Sequence, residues 1–234
     1  MKNSIIQYSE KELVEKQALV KEVDNLLTKK YGNPAPMKKD AVHELILTVL
    51  SQNTSDHNRD LAFKNLTDKF PRWEQLWAAP LEEIEAAIRP GGLAKQKSQN
   101  IKQILCWLRD QSPDFNLNWL GKIPLQQALN KLISLKGVGI KTASVVMCFC
   151  FDAPLFPVDV HIHRICRRLH LSPQNGTAEM THRYMQPLIP YGRWQELHLN
   201  LLILGRSLCR PKNPGCMPCP LNEICQYYKN QLNT

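Results

Sequence analysis

Lys141 directly follows a glycine-rich turn, at a position where a lysine side chain could act as a nucleophile. Gly137 and Gly139 separate two apolar segments of helical spacing, and glycine permits the positive φ angles of a tight turn. The second helix would begin with unpaired backbone N–H groups, which favour an anion such as a phosphate. The same helix end disfavours an ammonium group, so we expect a lowered pKa for Lys141 and a reactive neutral amine.

The glycine turn also has a plainer interpretation, a simple connection between two helices. Two other phosphate-binding motifs do not match this turn. Thr142 stands where the dinucleotide fingerprint requires glycine or alanine, and no glycine directly precedes Lys141, as a P-loop requires.

Asp159 is a second candidate for chemistry, 18 residues after Lys141. Pro154 and Pro157 prevent a helix before it, and residues 160–169 have a helical pattern with one basic face. Asp159 therefore occupies an N-cap position. A cap residue is held rigidly, so capping and catalysis are compatible roles. His161 and His163, two residues apart, would lie on different faces and form no joint metal site.

Four cysteines near the end of the chain have the spacing C-x6-C-x2-C-x5-C: Cys209, Cys216, Cys219 and Cys225. In an intracellular protein such an array indicates a metal site and not disulfides. Four thiolates suit either zinc or a [4Fe–4S] cluster. The remaining cysteines occupy apolar helical segments and are predicted to be small core residues: Cys106, Cys148, Cys150 and Cys166.

The charge distribution favours a polyanionic partner. The net charge is +9 and the pI about 9.2, with +7 in residues 131–234 and +2 in residues 1–130. The cysteine array encloses a proline-stiffened loop with Arg210 and Lys212, which could face a phosphate backbone. A generally basic protein without a specific polyanionic partner could have the same net charge.

Two further turns contain residues that could contact nucleic acid. Gln52 and Asn53 are polar amides at a helix junction, where Asp56 is expected to cap the next helix. They could line a cleft or serve only as caps. Leu93 follows two glycines and precedes a basic run, so it could wedge into a duplex, although a buried turn leucine is commoner.

The periodicity predicts helices throughout, at 10–31, 41–50, 98–109 and 125–134 among others, and no convincing strand. Many short helices with short connections indicate an all-α protein. No signal peptide and no long apolar run is visible, so we expect an intracellular, cytoplasmic protein without a membrane segment.

These motifs together resemble the endonuclease III family of DNA glycosylases, in the helix-hairpin-helix superfamily. The similarity covers nearly the whole chain, and the cysteine spacing together with the Lys141–Asp159 separation is its most specific part. The matching stretches, in order, are Leu50-Ser51-Gln52-Asn53-Thr54-Ser55-Asp56, Gly92-Leu93 with Lys97, Leu135 to Thr142, Val158 to Arg164, and the four cysteines.

The resemblance implies a two-domain fold. A six-helix barrel domain with the helix-hairpin-helix would span residues 40–153. An iron–sulfur cluster domain would comprise 154–234, with residues 1–39 packing against it. The resemblance also implies that the cysteines hold a [4Fe–4S] cluster in preference to zinc, and that a monomer binds double-stranded DNA containing damaged bases or abasic sites, associating with the nucleoid.

The resemblance also assigns roles to residues. Lys141 matches the catalytic lysine and Asp159 the catalytic aspartate. Gly137, Val138 and Gly139 match the hairpin that holds a DNA phosphate, and Leu93 matches the leucine wedge. Asn53 stands where a typical member has a glutamine that fills the gap in the duplex, and Val160 replaces a usual threonine.

The implied activity is removal of oxidised pyrimidines through a lysine Schiff base, followed by β-elimination 3′ to the abasic site. The alternatives are a monofunctional mismatch glycosylase and a non-catalytic, metal-stabilised DNA-binding module.

Overall fold

The computed structural model describes residues 8–34 and 39–232, and this part of the chain is helical without a strand. The all-α prediction is confirmed. The predicted segments 1–39 and 154–234 also contain residues 1–7, 35–38 and 233–234, which lie outside the described residues. The helices are α1 Glu10–Tyr31, α2 Ala41–Leu50, α3 Asp56–Lys69, α4 Trp73–Ala78, α5 Leu81–Ile88, α6 Ala94–Gln111, α7 Leu125–Ile133, α8 Ile140–Phe151, α9 Val160–Arg168, α10 Ala178–Met185, α11 Trp194–Ser207 and α12 Gln226–Leu232.

The chain divides into two compact units. The contiguous unit is Lys38–Ala153, and the discontinuous unit combines Met1–Met37 with Pro154–Thr234. The contiguous unit contains six helices of eight or more residues and the six-residue α4 among its described residues.

The contiguous unit is built around α2 and α8, which pack against each other. Both are apolar on nearly every face, which is the pattern of a helix surrounded by other helices. In α2 the residues Leu45, Ile46 and Val49 are fully buried, and in α8 every residue from Thr142 to Phe149 is buried. α7 precedes α8 and packs on it, which forms a helical hairpin.

In the discontinuous unit, α1 packs against α11, and α11 packs against α9. Val20, Val23 and Leu27 of α1 join one apolar core with Leu197 and other residues of α11. A partly buried ion pair strengthens this packing: the Arg193 guanidinium, just before α11, donates to both Asp24 carboxylate oxygens, at 2.7 and 3.0 Å. Such bidentate pairing with a carboxylate is among the stronger side-chain interactions.

Two local predictions were wrong. Ser55, and not Asp56, is the N-cap of α3, because its backbone is extended and its hydroxyl accepts from the Asn58 N–H at 3.2 Å. Asp56 is the first helical residue and pairs with Arg59 at 2.8 Å. Cys106, predicted as a core residue, is exposed, whereas Cys148 and Cys166 are buried and Cys150 is partly buried. The apolar face of α6 is turned away from Cys106.

His182 makes the stability of the discontinuous unit sensitive to acid. It lies in α10, is 6% exposed, and burial lowers its pKa to about 4. The unfolded chain, with an ordinary histidine pKa of about 6.5, binds the proton more readily. This contribution to stability is fully present above about pH 6.5 and is lost as the pH falls towards 4.

We expect the unfolding free energy to fall by about 2 kcal/mol from this group between pH 7 and pH 5. Urea denaturation at the two pH values measures it. His182→Gln should remove this part of the loss, while the same change at the exposed His57 should keep it. An equal pH dependence in wild type and His182→Gln would contradict the assignment.

Candidate active site and cysteine cavity

The turn between α7 and α8 contains the two glycines identified in the sequence. Gly139 is the N-cap of α8 and has no side chain with which to cap it. Its carbonyl oxygen accepts from the Ala143 N–H at 3.0 Å, which is the first bond of the helix. The turn is closed by the Val138 N–H, which donates to Leu135 at 3.0 Å, while the Val138 side chain is buried. As at every helix start, the first N–H groups of α8 have no carbonyl acceptor within the helix. Such N–H groups are the donors that an anion-binding site at a helix start uses.

Gly137 cannot be replaced by another residue without disturbing this turn. Its φ is +83°, and a Cβ atom there would lie 2.2 Å from the Asn100 side-chain nitrogen. The Gln52 side-chain N–H donates to the Gly137 carbonyl oxygen at 2.8 Å. The structure therefore places Gln52, predicted from sequence as a DNA-contacting residue, directly on the hairpin.

Lys141 is the second residue of α8 and is partly buried. This is the first-turn position that the sequence predicts, next to the N–H groups at the start of the helix. It belongs to the contiguous unit.

Asp159 is the N-cap of α9, as predicted, and belongs to the discontinuous unit. One carboxylate oxygen accepts from the His161 and Ile162 N–H groups, both at 2.9 Å. Two bonds to one oxygen fix the side chain and satisfy donors that the helix start leaves unpaired. The neighbouring Val160 is 68% exposed.

Asn53 and Leu93 both have left-handed backbone conformations, with φ of 51° and 49°. Asparagine tolerates this conformation, whereas at Leu93 it costs about 1–2 kcal/mol and must be held by its surroundings. Asn53 is exposed, and Leu93 is 54% exposed. Leu93 is thus not the buried turn leucine of the plainer interpretation, and its apolar side chain is presented to solvent.

The four cysteines of the array line one cavity, together with Arg168, Tyr227 and other residues. All four are partly buried, and burial raises the pKa of Cys219 to about 11 and also raises the pKa of Cys216 and Cys225. Iron or zinc binding would therefore release protons from them. Among the described residues, no three or more histidine, cysteine, aspartate or glutamate side chains converge as ligands of one ion.

Two arginines of α9 hold the segment that begins the array. Arg164 donates to the carbonyl oxygens of Cys209 and Gly205, both at 2.9 Å. Arg168 donates to the Cys209 sulfur and to the Arg210 carbonyl oxygen, both at 3.0 Å. The sequence analysis predicted only that these arginines lie on a basic face of the helix. Their spacing of four residues indicates that they share that face, but it does not reveal their acceptors, which are carbonyl oxygens and a sulfur atom more than 40 residues away.

Arg210 and Lys212 lie in the exposed loop inside the array. The Arg210 guanidinium donates to the Asn213 carbonyl oxygen at 3.2 Å, and Asn213 has a φ of 49°, so the loop turns sharply. His161 and His163 have separate partners, Arg164 at 3.1 Å and Thr181 at 2.8 Å. In the part of the chain that is described, no helix has the length and apolar character needed to cross a membrane.

Comparisons with known proteins agree with this arrangement. Residues 46–190 match the family model of the HhH-GPD superfamily base excision DNA repair protein. Endonuclease III of Thermotoga maritima is 33% identical over 82% of this chain and 85% of its own length. Endonuclease III of Bacillus subtilis is 30% identical over 78% and 80%.

Solved structures give the same relationship. A trapped endonuclease III–DNA covalent intermediate superimposes with a TM-score of 0.79 at 28% identity, covering 93% of this chain and 98% of that one. A thermostable thymine-DNA glycosylase, at 20% identity and a TM-score of 0.72, shares the fold. The sequence match and the glycine hairpin together show that the chain belongs to the endonuclease III family of the HhH-GPD superfamily of base excision DNA repair proteins.

Proposed function

We propose that this chain is a bifunctional DNA glycosylase and abasic-site lyase that removes damaged pyrimidines from double-stranded DNA. Its membership in a base excision repair family supports the glycosylase activity. The observation that carries the lyase activity is Lys141, an amine in the first turn of the helix that follows the hairpin. The similar solved structures include one titled as a trapped covalent intermediate with DNA, in accord with a nucleophilic side chain.

Lys141 would perform the bond exchange at the sugar. Its neutral amine attacks C1′ of the damaged nucleotide, a C–N bond forms, and the glycosidic bond breaks with its electron pair leaving on the base. The sugar ring then opens to a Schiff base with Lys141. Loss of a proton from C2′ expels the 3′ phosphate by β-elimination, which cuts the strand, and water releases the enzyme from the product.

Asp159 would stabilise the positive charge that develops on the opening sugar and assist proton transfer. The two amides that bind its carboxylate hold the charge in place before the reaction, so little reorganisation is required during it. A cap can therefore serve catalysis because it is rigid.

Contacts with DNA would come from several turns. The N–H groups of the hairpin at Gly137, Val138 and Gly139 would hold a phosphate, with Gln52 bracing the hairpin through the Gly137 carbonyl oxygen. The exposed Leu93 would enter the base stack after the damaged nucleotide leaves it.

Asn53 would approach the gap that the damaged nucleotide leaves in the duplex. Its side chain is shorter than the glutamine of typical family members, and this difference is expected to alter lesion preference. Arg210 and Lys212 would pair with phosphates at a distance from the lesion.

The cysteine cavity suits a [4Fe–4S] cluster, because the four cysteines line one cavity and the Arg168 guanidinium donates to the Cys209 sulfur. Four thiolates would bind four irons, so the four thiols do not have to converge on a single ion. Cys209, Cys216, Cys219 and Cys225 would hold it. When bound, the cluster would supply four iron–thiolate bonds that fold the array. The chain's own residues then orient the loop with Arg210 and Lys212 towards DNA.

The functional domains we propose are a barrel domain over 40–153 and a cluster domain over 154–234 that includes residues 1–39. The two compact units support this assignment. We propose a monomer as the active form and damaged duplex DNA as its partner. Oxidised or ring-saturated pyrimidines are the proposed substrates, on the basis of the family.

Two other functions are less well supported. A monofunctional mismatch glycosylase would not require Lys141, and the thymine-DNA glycosylase comparison concerns the fold alone. A DNA-binding module without activity would explain the hairpin and the cysteines but not the placement of Lys141 in the first turn of α8 and of Asp159 as a fixed cap.

Lys141→Gln should abolish borohydride trapping on DNA with one abasic site, because the amide nitrogen cannot form a Schiff base. Binding of the damaged duplex should remain. Lys131→Gln, on the exposed face of α7, is the control and should trap as wild type does. Undiminished trapping by Lys141→Gln would assign the nucleophile to another residue.

Asp159→Asn should keep the fold, because asparagine also caps helices, and should slow single-turnover excision by about a hundredfold. Asp40→Asn tests capping alone, since Asp40 caps α2 by accepting from the His43 N–H at 2.8 Å. Its excision rate should not change. Equal rates in Asp159→Asn and wild type would leave Asp159 with a capping role only.

Anaerobically purified protein should be brown and contain about four irons per chain. Cys216→Ser should lose iron and stability together, because ligand loss removes the folding free energy of the site. Cys106→Ser, at an exposed cysteine outside the array, should retain both. Stoichiometric zinc without iron would contradict the cluster.

A further inference from the structure

Lys97 of α6 is a buried cation that the proposed mechanism does not use. It is 2% exposed and is among the largest fully buried side chains of the chain. Burial lowers the pKa of its ammonium group. Among the described residues, no acidic side chain forms an ion pair with Lys97. A buried charge of this kind is costly unless hydrogen bonds satisfy it.

Two backbone carbonyl oxygens satisfy the ammonium group. The Lys97 Nζ atom donates to Leu50 at 2.7 Å and to Gly91 at 2.8 Å. Leu50 is the last residue of α2, so its carbonyl is one of the four that a helix end leaves without an N–H partner. Gly91 ends the short 3₁₀ helix that follows α5. One side chain therefore fastens the ends of two segments that are 41 residues apart in sequence.

The two fastened ends lead directly to the exposed residues that are proposed to enter the duplex. Asn53 follows Leu50 by three residues, and Leu93 follows Gly91 by two. Both have left-handed backbone conformations. Asparagine tolerates this conformation, but for a leucine it is costly and persists only when the surrounding structure holds it. Lys97 supplies part of that support because it fixes the backbone immediately before each turn.

Packing alone does not require a lysine at this position. A methionine would fill the space, but it would leave the Leu50 and Gly91 carbonyl oxygens without the Lys97 donor, which is costly for a buried acceptor. The ammonium group of Lys97 therefore connects the two turns, which an apolar side chain of the same volume does not do.

We propose that Lys97 is a positioning residue for base extrusion, which holds the Asn53 and Leu93 turns at the mutual spacing that the opened duplex requires. The proposal rests on the glycosylase function proposed above and extends it. Lys97 touches neither DNA nor the reacting atoms in this account, and it acts through the backbone of the two turns.

Lys97→Met tests this role, and Lys102→Met is a matched control. Lys102 lies on the same helix, and its ammonium group also donates to two carbonyl oxygens, those of Trp77 and Ala79. These two residues lie at the end of α4, and the turn that directly follows them is not proposed to contact DNA. Both variants lose the same kind of interaction. Only Lys97→Met loses it next to Asn53 and Leu93.

The measurement is the ratio of two single-turnover rates at saturating enzyme, below the unfolding temperature of every variant. One rate is excision of a single oxidised pyrimidine from a duplex, which requires full extrusion. The other is β-elimination at a preformed abasic site, which has no base to extrude. Lys97→Met should lower the excision-to-elimination ratio about tenfold or more, since misplaced positioning groups have effects of this size. Lys102→Met should leave the ratio unchanged.

A double-mutant cycle with Leu93→Ala identifies the route of the effect. If Lys97 acts through the Leu93 turn, Lys97→Met should reduce the ratio less in the Leu93→Ala background than in wild type. Independent, multiplicative effects would contradict action through that turn.

Three outcomes overturn the proposal: an unchanged ratio in Lys97→Met, an equal reduction in Lys102→Met, or failure of both Lys97→Met and Lys97→Gln to fold. If only Lys97→Met does not fold, Lys97→Gln retains an N–H donor and gives the same ratio test. Failure of both to fold would assign Lys97 to stability alone. Wild-type protein without excision or trapping would instead contradict the proposed function, which separates the two failures.

Discussion

The unpaired backbone N–H groups at the start of an α-helix are the constraint on which this molecule depends. Two helix starts carry the proposed chemistry, and they treat these groups differently. The N-cap of α8 is Gly139, which offers no side chain to accept from the first-turn N–H groups. α9 begins at Asp159, whose carboxylate takes two donors for itself. One helix start thus has no side-chain cap, as the proposed phosphate site requires, and the other holds a fixed carboxylate.

The remainder of each unit positions these helix starts. Asn100 packs so closely against Gly137 that only glycine fits there, and Gln52 binds the carbonyl oxygen of the same residue. In the discontinuous unit, Arg164 and Arg168 extend from α9 to the backbone and sulfur of the cysteine segment. The helix that Asp159 caps is therefore also the support of the cysteine cavity, so a change in the array would reach Asp159 through a single rigid element.

Local features were predictable from the sequence because they depend on neighbouring residues. The bounds of α1 and α2 and the cap at Asp159 follow from apolar periodicity, proline and capping chemistry. Prediction failed where a distant partner decides the outcome. The start of α6 at Ala94, before the predicted residue 98, depends on the left-handed Leu93, and the bond from Gln52 joins residues 85 positions apart. Lys97 in particular reads as one of several lysines in a polar run, and nothing local reveals that it is buried.

The discontinuous unit has a consequence for biosynthesis. Its α1 binds partners that are encoded more than 120 residues later, since Asp24 pairs with Arg193 and Val20 packs in a core with α11. At a translation rate of about 5–20 residues per second, α1 leaves the ribosome many seconds before those partners exist. The contiguous unit can fold before those partners are available, because its residues 38–153 are synthesised ahead of them. The nascent chain therefore carries the apolar side chains of α1 without their partners while the contiguous unit, encoded between the two parts of the discontinuous unit, is completed.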